Sequence, residues 1–174
     1  MIFVVCGTQK FQLNRLLEAL DELKGNGQIT EEIFAQIGTC DYEPKHYRWE
    51  RFLQSEAFDE YIKNCDVLLT HSGIGTILAG KENRKPVLVF PRSRKYQEHV
   101  DDHQWQIARM FEQHRYVLVC ENPGELKEKL ELCRTFPFED VCENENAITD
   151  VVRSYLKERF EGKKSRQKRR KKTT

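Results

Sequence analysis

The sequence predicts an α/β domain built on a doubly wound sheet of parallel strands, and three observations carry that expectation. Short apolar runs alternate with stretches of helical periodicity along residues 2–135. The runs are apolar throughout rather than alternating, as strands covered on both faces are. Two of them end in a glycine-bearing turn that leads into a helix.

Taken in order, residues 2–6 are a β-branched and aromatic run closed by Gly7-Thr8, and Leu13, Leu16, Leu17, Leu20 and Leu23 follow at helical spacing. Residues 33–37 read as the next strand, and Ser55 caps a helix that carries Phe58, Tyr61 and Ile62. Residues 67–70 form a further strand ending in His71-Ser72-Gly73, with a helix expected after Gly73. A strand at 86–90 is stopped by Pro91, residues 100–114 place Ile107, Ala108 and Phe111 on one helical face, and 116–120 is another apolar strand. Asn122-Pro123 with Glu125 starts the next helix. Ala147, Ile148, Val151, Val152 and Tyr155 make a last amphipathic stripe before the composition changes at Gly162. The expected organisation is therefore a Rossmann-like domain over residues 1–161 and a basic, structureless tail over 162–174. Right-handed crossovers between parallel strands put any ligand outside the strands' carboxyl ends.

A chain of 174 residues, 39% hydrophobic and 33% charged, has room for one core. Its formal charge of +1 conceals a division, because residues 162–174 hold eight Lys or Arg and no acid. That leaves 21 basic against 28 acidic side chains, a net −7, in the first 161 residues. The six cysteines form no C-x-x-C pair and no His stands at zinc-finger spacing, so neither a metal centre nor a disulfide ladder is expected, and a reducing cytoplasm fits. The run at 2–6 is far too short for a signal peptide or a membrane span.

Two strand-to-helix turns suit anions: Cys6-Gly7-Thr8-Gln9 and Thr70-His71-Ser72-Gly73-Ile74-Gly75-Thr76. Glycine lets the backbone approach a phosphate closely, free amides at a helix start donate to it, and Ser72 or Thr76 adds a hydroxyl. Helix caps and tight turns select the same residue types, so the turns alone do not decide the matter. A third loop, 92–103, is dense in groups that pair with sugar hydroxyls: Glu98, His99, Asp101, Asp102, His103 and, just beyond it, Gln104. Its alternative is a solvated charged loop.

These residues together resemble a known family. Gly7-Thr8, His71-Ser72-Gly73-x-Gly75-Thr76, Lys85-Pro86, Pro91 and Glu98-His99-Val100-Asp101-Asp102-His103-Gln104 resemble the glycosyltransferase family 28 C-terminal domain over roughly residues 1–135. Within it the chain is similar to short polysaccharide-biosynthesis proteins that work as one of two chains, and to the cytosolic subunit of the split dolichol-pathway GlcNAc transferase. The resemblance implies the C-terminal half of a GT-B fold, which holds a UDP-sugar. It implies that His71, Ser72, Gly73, Gly75 and Thr76 surround the diphosphate, that Gly7 and Thr8 face the same cleft, and that Glu98, Asp102, His103 and Gln104 meet the donor sugar. One departure stands out: where many relatives carry a ribose-binding Glu three residues after the Thr of the phosphate turn, this chain has Ala79.

By the same resemblance the donor substrate is a UDP-sugar, no cofactor or metal is needed, and the transfer inverts the anomeric carbon. The absence of an Asp-x-Asp motif agrees with that. His99 is the candidate catalytic base within this chain, with a loop or hydroxyl-binding histidine as its alternative and a base on the acceptor lobe as another. A single lobe implies a partner, a membrane-anchored subunit that presents a lipid-linked saccharide acceptor at the cytoplasmic face of the membrane. The 162–174 tail is either merely solubilising or offers anionic lipid an added attraction of about 1 kcal/mol per Lys or Arg. Three rivals remain: a non-catalytic accessory subunit, a nucleic-acid module using the tail, and a UDP-sugar epimerase. The acidic body, with no basic residues interleaved with aromatics, argues against nucleic acid, and an epimerase needs both lobes, roughly twice this length.

Overall fold

The computed structural model describes residues 1–140; the last amphipathic stripe and the basic tail lie outside the described residues. Strands β1 (Ile2–Val5), β2 (Ile33–Gln36), β3 (Arg48–Glu50), β4 (Val67–Thr70), β5 (Val87–Val89) and β6 (Leu118–Val119) form one parallel sheet in the order β3-β2-β1-β4-β5-β6. Helices α1 (Asn14–Gly25), α2 (Ser55–Asn64), α3 (Ile74–Glu82), α4 (His103–Gln113) and α5 (Leu126–Thr135) connect them or close the chain against the sheet. This is the doubly wound, Rossmann-like architecture that the alternating pattern predicts.

Burial explains why the inner strands read as unbroken apolar runs. β1 sits between β2 and β4, with Ile2 opposite Ile33 on one side and Val67 on the other. None of its four residues is more than 1% exposed. Side chains alternate across a strand, so Ile2 and Val4 face one layer and Phe3 the other. The first layer joins Leu16, Leu17 and Leu20 of α1 to Leu126, Leu130 and Cys133 of α5. On the second, Phe3 packs with Phe34, Phe58 and Tyr61, and the Phe34 and Tyr61 rings lie 4.0 Å apart and 5° from parallel. Each such side chain, fully buried, stabilises the fold by about 1.5–3 kcal/mol.

Three elements differ from the expectation. The edge strand β3 carries no apolar run: Arg48 and Glu50 are exposed, and only the ladder to β2 identifies it. α4 begins at His103 rather than near residue 100, because the side chains of Glu98, His99, Asp101 and Asp102 are engaged in loop contacts and Val100 stands 70% exposed. The apolar run at 116–120 contributes only Leu118–Val119 to the ladder, since β5, its sole neighbour, is itself three residues long. No helix among the described residues is long and apolar enough to cross a membrane.

Candidate functional site

The chain leaves β1 toward β2 and leaves β4 toward β5, so the connections diverge where β1 and β4 lie side by side. At such a point the carboxyl edge of a doubly wound sheet opens into a crevice. Three loops border it in spatial order: residues 6–13 after β1, 71–73 after β4 and 90–102 after β5.

Gly7 turns the first loop at φ +82°, a conformation that glycine reaches without steric cost. A β-carbon there would lie 2.6 Å from Cε1 of His71, and one on Gly73 would lie 2.6 Å from Nε2 of the same ring. The two glycine turns thus lie on one edge of the sheet and share a wall, the His71 imidazole. Its Nδ1 sits 3.4 Å from the Val5 carbonyl and 3.4 Å from the Thr70 hydroxyl, which itself donates to Val5 O at 3.0 Å. With the Nδ1 proton on the carbonyl side, Nε2 is the acceptor. Burial first, and the Arg92 charge second, pull the ring down to about 4, so it is neutral at pH 7.

Ser72 is 2% exposed, and its Oγ is the one buried side-chain nitrogen or oxygen among the described residues without a hydrogen-bond partner. Buried hydroxyls in folded proteins are almost always paired, so this orphan at a crevice is open to a water or a ligand atom. Directly after it α3 starts at Ile74 with Gly73 as its cap, and no side chain caps it. Its first internal bond runs from Ile77 N to Gly73 O at 3.1 Å, which leaves the amides of Ile74, Gly75 and Thr76 without helical acceptors. Such a terminus favours an anion through both amides and dipole. Gly75 keeps the approach open, because a β-carbon there would meet nothing within 4 Å. Thr76 is partly exposed on the same turn, and Thr8 is exposed on the first loop.

The third loop divides its residues between scaffold and surface. Glu98, 3% exposed, takes Arg15 Nε at 3.1 Å and Nη2 at 3.0 Å and also the Ser93 amide at 2.9 Å. Gln104 is buried and accepts the Arg92 amide at 3.1 Å. Both are expected from sequence to meet the donor sugar, and the structure employs them in fixing the loop. Asp102 accepts the Arg94 amide at 3.2 Å. His99 rests on the Phe11 ring, 4.5 Å between centroids, which joins this loop to the first.

Asp101 lies between two histidines, with Oδ1 at 3.0 Å from His99 Nδ1 and Oδ2 at 3.2 Å from His103 Nε2. Partial burial alone would raise its carboxyl, but the His103 amide and the two rings hold it below the usual range. The Asp101 carboxylate, nearer to His99 Nδ1 at 3.0 Å than the Asp101 amide at 3.4 Å, favours a proton on Nδ1 and so leaves Nε2 as that ring's acceptor. This is the arrangement of a histidine oriented to take a proton from a hydroxyl.

Arg15, Arg92 and Phe11 go unread in the sequence. Arg15 is held over the Phe90 and Tyr96 rings at 4.3 and 4.4 Å while it binds Glu98. Arginines in the first turn of a helix or after a strand-ending proline are common, and nothing in their spacing announces burial.

Residues 1–167 match the family described as the glycosyltransferase family 28 C-terminal domain. The chain is 23% identical over 130 residues to the mouse UDP-N-acetylglucosamine transferase subunit ALG13, covering 68% of this chain and 10% of that protein. Among solved structures it is similar to the spinosyn forosaminyltransferase SpnP, with TM-score 0.55 and 17% identity over 78% of this chain and 35% of the other. MurG of Acinetobacter baumannii is similar at TM-score 0.52 and 19% identity, over 75% of this chain and 40% of the other. The chain thus spans about a tenth of the mouse relative and two fifths or less of these solved structures. The shared fold is that of the C-terminal domain of GT-B glycosyltransferases.

Proposed function

The chain belongs to the glycosyltransferase family 28 C-terminal domain family, and from that premise we propose that it is the donor-binding and catalytic subunit of a two-chain transferase. In this reading it holds a UDP-sugar in the β1–β4 crevice and moves a hexose to a lipid-linked saccharide acceptor in polysaccharide biosynthesis. The observation that carries it is the unpartnered Ser72 hydroxyl beside the uncapped start of α3. A diphosphate answers both features at once: one oxygen accepts from Ser72, and others accept from the amides of residues 74–76. Negative charge that builds on UDP as the sugar leaves is met by dipoles already in place, which is the main way such sites lower a barrier.

Acceptor activation falls to His99, with Asp101 setting its tautomer, and transfer by direct attack of the acceptor hydroxyl inverts the anomeric carbon. A GT-B site closes between two lobes and this chain supplies one of them. In this reading the other lobe is supplied by a membrane-anchored acceptor-binding subunit, on which the present chain works at the cytoplasmic face.

Calorimetry with UDP on the full chain tests the donor site through Gly75→Asp. The new carboxylate has open space and sits in the first turn of α3, where an acid favours the helix. The thermal midpoint stays level or rises, while repulsion of the diphosphate lowers UDP affinity at least about tenfold. Unchanged UDP affinity in the folded variant, or no UDP binding by the parent chain, refutes the site.

A further inference from the structure

Arg92 heads the fully buried side chains by volume, at 1% exposure. A charge removed from water is costly unless other dipoles or charges replace the solvent. No carboxylate lies within ion-pair distance of it among the described residues; Glu98, the nearby acid, is bound by Arg15. Main-chain carbonyls surround the guanidinium instead. Nη2 donates to Cys6 O and, at 3.0 Å, to Phe11 O, while Nε donates to Gln12 O at 3.1 Å. All three carbonyls belong to the end of β1 and the loop that carries Gly7. The Arg92 amide reaches in the other direction, to Gln104 at the start of α4.

Carbonyls solvate a cation without cancelling it, and the other titratable groups beside it are the buried Cys6 and Cys40 thiols and the Arg15-bound Glu98, so positive charge remains behind the glycine turns. We propose that Arg92 is a positioning residue of the diphosphate site, whose fork holds the Gly7 loop in shape and whose charge draws the anionic donor into the crevice. The proposal rests on the reading of that crevice as a UDP-sugar site. His71 senses the same charge, being depressed by burial, then by Arg92, and least by His99, against a raising contact with Val5 O. Thr70, the remaining polar neighbour, carries no charge.

The test uses the full chain with Arg92→Lys and Arg92→Met. UDP and uridine affinities are measured by calorimetry, and the His71 ring, identified by its loss in His71→Gln, is titrated by NMR. Lys keeps the charge and loses the fork: His71 still titrates low, and UDP binds several-fold more weakly. Met loses both: His71 titrates at visibly higher pH, and UDP affinity falls more than tenfold, whereas uridine, which lacks the phosphates, loses much less. A folded Met variant that binds UDP within twofold of the parent overturns the proposal, and so does an unmoved His71 titration. Should Met fail to fold, Lys decides, and UDP binding within twofold of the parent there overturns the role of the fork. Failure of the parent chain itself to bind UDP removes the donor-site reading instead, a result distinct from any change between variants.

Discussion

At the scale of single residues, the His71 ring makes the crevice sensitive to acid. Its folded value of about 4 lies below the roughly 6.5 of an unfolded chain, so between those limits the unfolded state binds the extra proton. Stability is therefore level above about pH 7 and is lost as pH falls from 6.5 toward 4, by up to about 3 kcal/mol. Urea denaturation at pH 7, 6 and 5 checks this, with His71→Gln giving a flatter profile; equal slopes for the two proteins contradict it. The depressed carboxyls of Asp21, Asp66 and Asp101 lie below the 3.8 of a free aspartate, so their own losses come at lower pH. Sequence reveals the two glycine turns because tight strand-to-helix turns favour Gly, Ser and Thr, whatever they bind. It does not reveal that His71 is the wall between them, nor that Glu98 and Gln104 turn inward, because a side chain's direction depends on partners such as Arg15 and Arg92 that lie about eighty positions away for Glu98 and on the far side of the loop for Gln104.

Among elements, the inner strands are legible because burial on both faces demands apolar runs, and β3 is not, because an edge strand of three residues faces no such demand. What places β3 is a buried carboxylate on α1. Asp21, 2% exposed, accepts the Tyr42 hydroxyl at 2.8 Å, the Lys45 amide at 3.0 Å and the His46 amide at 2.8 Å, pinning the loop that delivers β3 to the sheet. Asp21→Ala leaves those donors without their acceptor and costs about 3 kcal/mol, with amide exchange fastest in residues 41–50. Uniform loss of protection over the whole chain is the result that contradicts a local role.

For the molecule as a whole, alternation of strands and helices makes the fold class legible, but strand order is not written in any local pattern. That β1 ends up between β2 and β4 is settled by packing over long sequence distances, and it alone decides where the crevice opens. Ile2 pairs with Val67, and the Thr70 hydroxyl reaches Val5 across 65 positions of chain. Closing so long a loop is entropically costly and slow relative to helix formation. The proposed UDP site thus comes into being only when remote segments of the polypeptide have met, and no isolated fragment ending before residue 67 possesses it. In stopped-flow refolding, nucleotide capture should arise in the same kinetic phase in which pulse labelling finds β1 and β4 amides shielded, and capture in an earlier phase would contradict this. With the proposed donor site, nascent chains on the ribosome are blind to the nucleotide until the turn after their fourth strand and the start of α3 have emerged, so UDP-sugar stabilises only chains grown past that point.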